Sequence, residues 1–472
     1  MTRYMVLPEA RVPVAADVDV LVCGGGPAGF AAAVAAARQG ADTLIVEQPG
    51  CLGGMATSGL VGGFERTVGR EGIFTEVMTR LAQMGAAHRT PLGVDNFEAE
   101  QVKYVMMLMA EEAGAKSLLF TFVEDAIVEG NKVRGVIVAN KSGRQAVRAK
   151  VVIDATGDAD VAFRAGVDCE KGRADGHMQA CSLMFRLGGI DEKKLAEGMK
   201  EFTDKSPDLT VRARAAGEVH LPDYVYRVYF GGKGSTIRES QASVNIDTII
   251  GVDATDAQEV TEAMNLSRKR VFELVEFYRK HVAGAENCYL LDTGALLGVR
   301  ETRRIVGVST VTVEDVLSAR KLADGICRAS FFIDLHDGQW PRLTPEVRRM
   351  LWPPNRDWYE IPYGCLVPKK VDGLLVAGRC ISSERLANGS LRIMPTCMGV
   401  GQAAGVAAQL CAARSVEPRN ADVEKVRAIL RKDFGVQLSD KPGARPIDAA
   451  GLRARINALF DVPCARKVPP RT

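Results

Sequence analysis

No apolar run in the sequence approaches the roughly 18 residues of a helix that crosses a bilayer, so a membrane-spanning role is excluded. The opening stretch, MTRYMVLPEARVPVAADVD, lacks an apolar h-region, and no signal peptide is expected. The 11 cysteines contain no C-x-x-C pair, so the usual frame of an iron–sulfur cluster is missing and no metal site is expected. Odd in number and scattered, they read as reduced thiols, which implies a cytoplasmic protein. Charge of neither sign dominates: the formal net charge is +3, with acids and bases mixed along the chain, so neither nucleic acid nor a membrane surface is an expected partner. Histidine is scarce, with 5 in all. There is no fixed-period repeat and no low-complexity segment. What remains is 472 residues, 47% of them hydrophobic, with a mean hydropathy near zero (-0.01). That is a globular composition, and the length favours two intimately joined domains over a single core.

The rest of the chain is organised around Asp19 to Glu47. An apolar run, Val20-Leu21-Val22-Cys23, leads into Gly24-Gly25-Gly26-Pro27-Ala28-Gly29, a G-x-G-x-x-G. An alanine-rich helix follows, then a second apolar run, Thr43-Leu44-Ile45-Val46, ending in Glu47. The first glycine makes a tight turn out of a strand, the second lets backbone approach a pyrophosphate, and the third lets helix and strand pack closely. The helix N-terminus offers free N–H groups and the positive end of its dipole. Glu47 falls near the roughly 20-residue offset at which a carboxylate meets ribose hydroxyls.

Further along, Gly53 and Gly54 suit a close backbone approach to a ligand. Cys51 lacks the second cysteine of a disulfide reductase and reads as structural. Asp95 to Ala113 shows helical spacing, Ser117 to Val123 reads as a strand, and hairpins are expected across Gly130-Asn131 and at Ser142-Gly143-Arg144. A buried strand then ends in Ile153-Asp154-Ala155-Thr156-Gly157-Asp158. A long amphipathic helix is expected over Glu259 to Ala283. Another, rich in glycine and alanine, is expected from about Thr396 to Cys411, with Gly399, Gly401 and Gly405 packing on a cofactor.

These motifs resemble the FAD-dependent oxidoreductase family with a glutathione-reductase-like FAD domain. Within it, the chain is similar to the group that carries LGGMATSG (Leu52 to Gly59), IDATGDAD (Ile153 to Asp160) and LLVAGRCIS (Leu374 to Ser382). The resemblance runs from about Asp19 to about Leu410. It implies an α/β fold: a Rossmann-like FAD-binding domain with a parallel sheet and a β-meander, carrying an inserted α+β substrate domain. The FAD domain would comprise residues 1–168 and 360–415, the insertion 169–359, and a helical appendage with a mobile basic tail 416–472. The resemblance also places FAD. Gly24, Gly26, Pro27, Ala28 and Gly29 would hold the pyrophosphate and Glu47 the adenosine ribose. Val123 would meet the adenine through its backbone. Gly53, Gly54, Ala155, Gly157, Gly378, Ile393 and Met394 would line the rest. Arg379 stands where many relatives have an acid, which leaves the ribityl contacts open.

Candidates for catalysis are His177, Arg300, Tyr359, Tyr363 and Arg392, with Gln179 comparable to His177. A histidine suits proton transfer. Tyrosine phenols suit donation to a substrate oxygen. In Gly298-Val299-Arg300-Glu301-Thr302-Arg303-Arg304 the arginines suit either a bidentate clamp on a substrate carboxylate or an internal ion-pair network, with Arg300 the better placed for substrate. Arg392, before the glycine-rich helix, would add fixed positive charge. The expected activity is hydride transfer between a small organic substrate (an alcohol, an amine or a CH–CH unit) and flavin N5, with a separate electron acceptor. The alternatives are a C=C reductase, against which Asn388 stands where a catalytic arginine is expected, a flavin monooxygenase, and a non-catalytic electron-relay subunit. Dimers are common in such folds, and a homodimer is compatible with the chain.

Overall fold

Five strands whose last residues stand in register across one sheet organise the structure. The computed structural model describes residues 11–89, 94–223, 225, 228, 230, 236–245, 248–336, 344–460 and 466–468. Strand β1 (Val14–Cys23) leads through helix α1 (Pro27–Arg38) to β2 (Thr43–Val46). These two pair in parallel, Cys23 beside Val46, as the alternation of a buried apolar run with a small-residue helix requires. Strand β3 (Lys116–Leu118) joins the far edge of β2, with Leu118 opposite Val46. On the other side of β1 lies β6 (Gly143–Asp154), with Asp154 opposite Cys23. Strand β9 (Leu374–Val376) pairs with β6 in parallel, placing Val376 beside Asp154. Leu118, Val46, Cys23, Asp154 and Val376 therefore form one row, and the chain leaves the sheet along that row five times.

The meander is present: β4 (Phe122–Glu129), β5 (Lys132–Asn140) and the first half of β6 are antiparallel neighbours. Two expectations shift here. The strand expected over Ser117 to Val123 is divided, because Phe120 takes a left-handed conformation (φ 52) between β3 and β4. The helix expected from Asp95 starts later, as α2 (Ala99–Ala113), because Asp95–Phe97 pairs as a strand with Gly63–Phe64 and Ala87–Arg89.

A second buried core runs from Cys181 to Leu297. It is built on a three-stranded antiparallel sheet of Ala242–Val244, Phe185–Gly188 and Tyr289–Thr293, covered by helices α3 (Glu192–Ala215) and α4 (Ala257–His281). The chain enters it after β7 (Cys169–Lys171) and returns at β8 (Arg303–Ile305), and these two strands lie antiparallel side by side. Residues Ile305, Val311, Ile333 and Tyr359 pack into the first core, so the apolar centre of the insertion ends well before 359. The tail also departs from the mobile end expected of it: Ala449–Phe460 is helical, and Arg466–Val468 pairs with β7. Residues 461–465 and 469–472 lie outside the described residues.

Helix α5 (Met394–Arg414) packs along α1. A Cβ on Gly401 would lie 2.0 Å from the Ala28 carbonyl oxygen, and one on Gly405 2.0 Å from that of Ala32. The two glycines therefore let two helix backbones touch, instead of facing the cofactor as expected. Gly399 likewise faces the Cys327 thiol. Among the described residues no helix is long and apolar enough to cross a membrane.

Candidate active site

The segments that leave the sheet along its row of strand ends enclose a cavity of about 810 Å³, within the roughly 300–1,000 Å³ typical of ligand sites. Gly24, Gly26, Pro27 and Ala28 follow β1, Glu47 follows β2, Ala155 and Gly157 follow β6, and Gly378 follows β9; all line it. Gly54, Val123, Ile393 and Met394 line it too. This is where open α/β sheets place their ligands. Gly29 and Gly53 do not reach the cavity but shape it. A Cβ on Gly29 would sit 1.7 Å from the Gly24 carbonyl oxygen, and the Gly53 N–H donates to Gly25 O at 2.8 Å.

Two helix N-termini open into this space. Helix α1 begins at Gly26 and α5 at Ile393, and neither has a side-chain cap. Each carries a proline in its first turn, where the missing N–H costs nothing. A Cβ on Gly26 would meet no protein atom within 4 Å, so the turn is open on its cavity side. The Glu47 carboxylate accepts from the Gly25 N–H and, at 2.9 Å, from the Gln48 N–H. Burial raises its pKa against those two donors. Arg379 does not leave this end without an acid. Its Nη2 donates to Asp158 Oδ1 at 2.6 Å, and Thr302 Oγ1 donates to the same oxygen at 2.5 Å.

The opposite end is polar. Arg392 Nη2 donates to Asp334 Oδ2 at 3.0 Å, to the Asp334 carbonyl at 3.1 Å and to Gln179 Oε1 at 3.4 Å. His336 Nε2 also lies 3.0 Å from Asp334 Oδ2. Burial alone would raise the Asp334 carboxyl, but His336, Arg392 and Arg300 hold it well below the usual carboxylate range. Burial and the nearby Arg300 charge push His336 down, so its ring is neutral at neutral pH. Arg300 Nη1 donates to Ala180 O and Ser182 Oγ, both at 2.7 Å, and Arg300 forms no ion pair with any described residue. Burial and the Arg392 charge lower its pKa to about 10, which leaves it cationic.

The expected catalytic residues divide. Arg300 and Arg392 line the cavity. His177 does not: it is exposed, and its backbone N–H donates to Asp175 Oδ1 in a local turn. Tyr359 and Tyr363 are buried away from the cavity, with phenols bonded to Ser390 Oγ and to Pro418 O, both at 2.8 Å. Asn388 is buried as well, donating to Arg379 O at 2.7 Å. Cys51 is a free thiol 3.4 Å from Ser58 Oγ. The arginine-rich segment divides between the cavity and an internal ion-pair network. Arg300 faces the cavity, while Glu301 and Arg304 turn inward to pair with each other and with Arg385.

Glu65, Asp334 and His336 line the cavity and were missed. Asp334 and His336 end the apolar run Phe331-Phe332-Ile333, and an Asp-x-His after a buried run, in a chain with 5 histidines, was a usable signal. Glu65 carries none.

Fold and cavity together define a Rossmann-type dinucleotide-binding enzyme. The chain belongs to the FAD dependent oxidoreductase family, whose model matches residues 19–430. Among curated proteins it is similar to a thiamine thiazole synthase of Methanococcus aeolicus, 37% identical over 31% of this chain and 57% of that protein. It is also similar to a digeranylgeranylglycerophospholipid reductase 2 of Methanopyrus kandleri, 33% identical over 30% of this chain and 38% of the reductase. The matches thus span less than two thirds of these relatives. A geranylgeranyl bacteriochlorophyll reductase-like protein of Thermoplasma acidophilum aligns over 89% of this chain and 84% of its own, at 16% identity and a TM-score of 0.44. FAD is the cofactor, and the residues present fit it: two uncapped helix N-termini, an open glycine turn and a buried carboxylate facing one cavity match a diphosphate and a ribose.

Proposed function

We propose that this enzyme transfers a hydride between a small carboxylate-bearing substrate and the flavin, and passes the electrons to a separate acceptor. The observation that carries this reading is Arg300, a cavity-lining guanidinium with no anionic partner among the described residues. Its Nη1 is fixed by Ala180 O and Ser182 Oγ, so the planar group is pre-oriented to receive a carboxylate. Arg392, already paired with Asp334, adds positive potential on the same side.

Bound FAD supplies the two-electron chemistry. The protein's share is binding, orientation and proton handling. The ionised Asp334 accepts from His336 Nε2–H, which leaves the lone pair on Nδ1. A neutral imidazole held this way suits removal of a proton from a substrate O–H or N–H as its C–H bond is broken. Phe331 and Phe332 supply apolar wall beside it.

The test uses the purified holoenzyme without oxygen. Small carboxylic acids are added while the visible flavin absorbance is followed, with each methyl ester as control. Acids are expected to perturb or bleach the flavin and esters are not. Arg300→Met is expected to weaken acid binding about 100-fold, equivalent to about 2.7 kcal/mol, and Arg300→Lys less. Equal response to acids and esters, or an indifferent Arg300→Met, would sink the reading.

A further inference from the structure

Glu65 lines the same cavity as Arg300, and it makes no hydrogen bond or ion pair with any described residue. The cavity therefore holds one cation and one carboxyl group that lack partners. Between them in charge lies the Arg392–Asp334 pair. Arg392 and Asp334 both act electrostatically on Glu65, and both act on Arg300. Glu65 and Arg300 do not pair with each other, so each is available to a ligand.

We infer that the substrate is an amino acid in the broad sense, a zwitterion whose carboxylate meets Arg300 and whose ammonium meets Glu65. This rests on the carboxylate reading above and deepens it.

The charge balance supports it. With Arg300 and Arg392 cationic and Asp334 and Glu65 anionic, the four groups sum to zero. A zwitterion preserves that sum, whereas a simple carboxylate adds an uncompensated charge to the group. Burial and the Asp334 charge raise the Glu65 carboxyl, which is the state of an acid that lacks its counter-ion. Val61, Met184 and Phe332 give the wall apolar patches against which the carbon body of such a ligand can lie. The position of the amine relative to the carboxylate is set by the gap between Glu65 and Arg300.

The experiment titrates holoenzyme with glycine, β-alanine, 4-aminobutyrate and 6-aminohexanoate. Each is paired with the acid of the same chain length lacking the amine, and binding is read from the flavin spectrum and by calorimetry. At one spacing the amino acid is expected to bind at least about tenfold tighter than its partner acid, and Glu65→Gln is expected to abolish that preference, with the plain acid binding as well as or better than before because the negative charge that opposes it is gone. If Glu65→Gln does not retain the flavin, Glu65→Asp replaces it and is expected to move the preferred spacing toward a longer amino acid. No preference at any spacing, or a preference that survives Glu65→Gln, overturns the inference. In that case plain acids still lost on Arg300→Met would leave the carboxylate reading standing. Acids indifferent to Arg300→Met would remove both.

Discussion

Glu301 and Arg385, far apart in the chain, meet in the interior: Arg385 Nε lies 3.0 Å from Glu301 Oε2. The same carboxylate accepts from Arg304 Nη1 at 2.8 Å and from the Gln179 N–H at 3.0 Å. Gln179 Oε1 in turn accepts from Arg392, so the buried ion cluster is tied to the polar end of the cavity.

Removing the Glu301 charge takes from the buried Arg304 and Arg385 guanidinium groups the carboxylate they share. Glu301→Gln is expected to cost about 3–5 kcal/mol of stability, read by denaturant titration. A cost under about 1 kcal/mol would show that the cluster is hydrated.

The glycines of the first turn separate folding from cofactor binding. Gly29→Ala drives a methyl into the Gly24 carbonyl and is expected to destabilise the protein with or without FAD, by about 1–3 kcal/mol. Gly26→Ala meets no protein atom, so it is expected to change the apoprotein by less than about 1 kcal/mol. It should nevertheless weaken FAD at least about tenfold, as measured by flavin release.

Asp154 gives a pH signature. Burial raises its carboxyl from an ordinary 3.8 to about 6, although the Ala162 N–H and the Thr156 hydroxyl donate to it. The folded state therefore keeps the proton longer than the unfolded chain does. The associated stability is complete below pH 3.8 and is lost as pH rises through about 6, a change of about 3 kcal/mol. Asp154→Asn is expected to flatten the pH dependence of unfolding over that window.

The phenols of Tyr359 and Tyr363 bond to protein groups outside the cavity. Tyr359→Phe and Tyr363→Phe are each expected to cost about 0.5–1.5 kcal/mol and to leave ligand binding unchanged. A change in substrate affinity with stability intact would put a phenol back in the site.

Legibility followed the range of the interaction. The turn from Gly24 to Gly29, the strand before it and Glu47 are local, because one phosphate-and-ribose ligand constrains neighbours in sequence. The structure puts Gly24, Gly26, Pro27, Ala28 and Glu47 on one cavity, with Gly29 behind them under the turn. The meander was equally plain, since hairpins are local as well. The polar end is assembled from Glu65, Gln179, Arg300, Asp334, His336 and Arg392, which only tertiary folding brings together. Sequence reasoning singled out the two arginines through their charge and named His177, whereas the histidine on the cavity wall is His336. Tyr359 looked functional because a phenol is polar, yet Ser390, whose hydroxyl donates onward to Phe331 O, satisfies that end of the ring from inside the core. The glycines of α5 were assigned to the cofactor when the nearer demand was another helix.

The side-by-side strands Cys169–Lys171 and Arg303–Ile305 have a further meaning. Everything between them leaves and rejoins the nucleotide-binding frame through one narrow gate, so the segment from Cys181 to Leu297 can be lengthened, trimmed or exchanged without altering the row in which the sheet ends. Of the cavity wall, the stretch between the gate strands contributes residues such as Ser182, Met184, Leu297 and Arg300, while Asp334, His336 and Arg392 stay with the frame. A graft of another insertion at this gate would keep Asp334, His336 and Arg392, and would have to bring its own counterpart of Arg300 along with the new shape of what it admits.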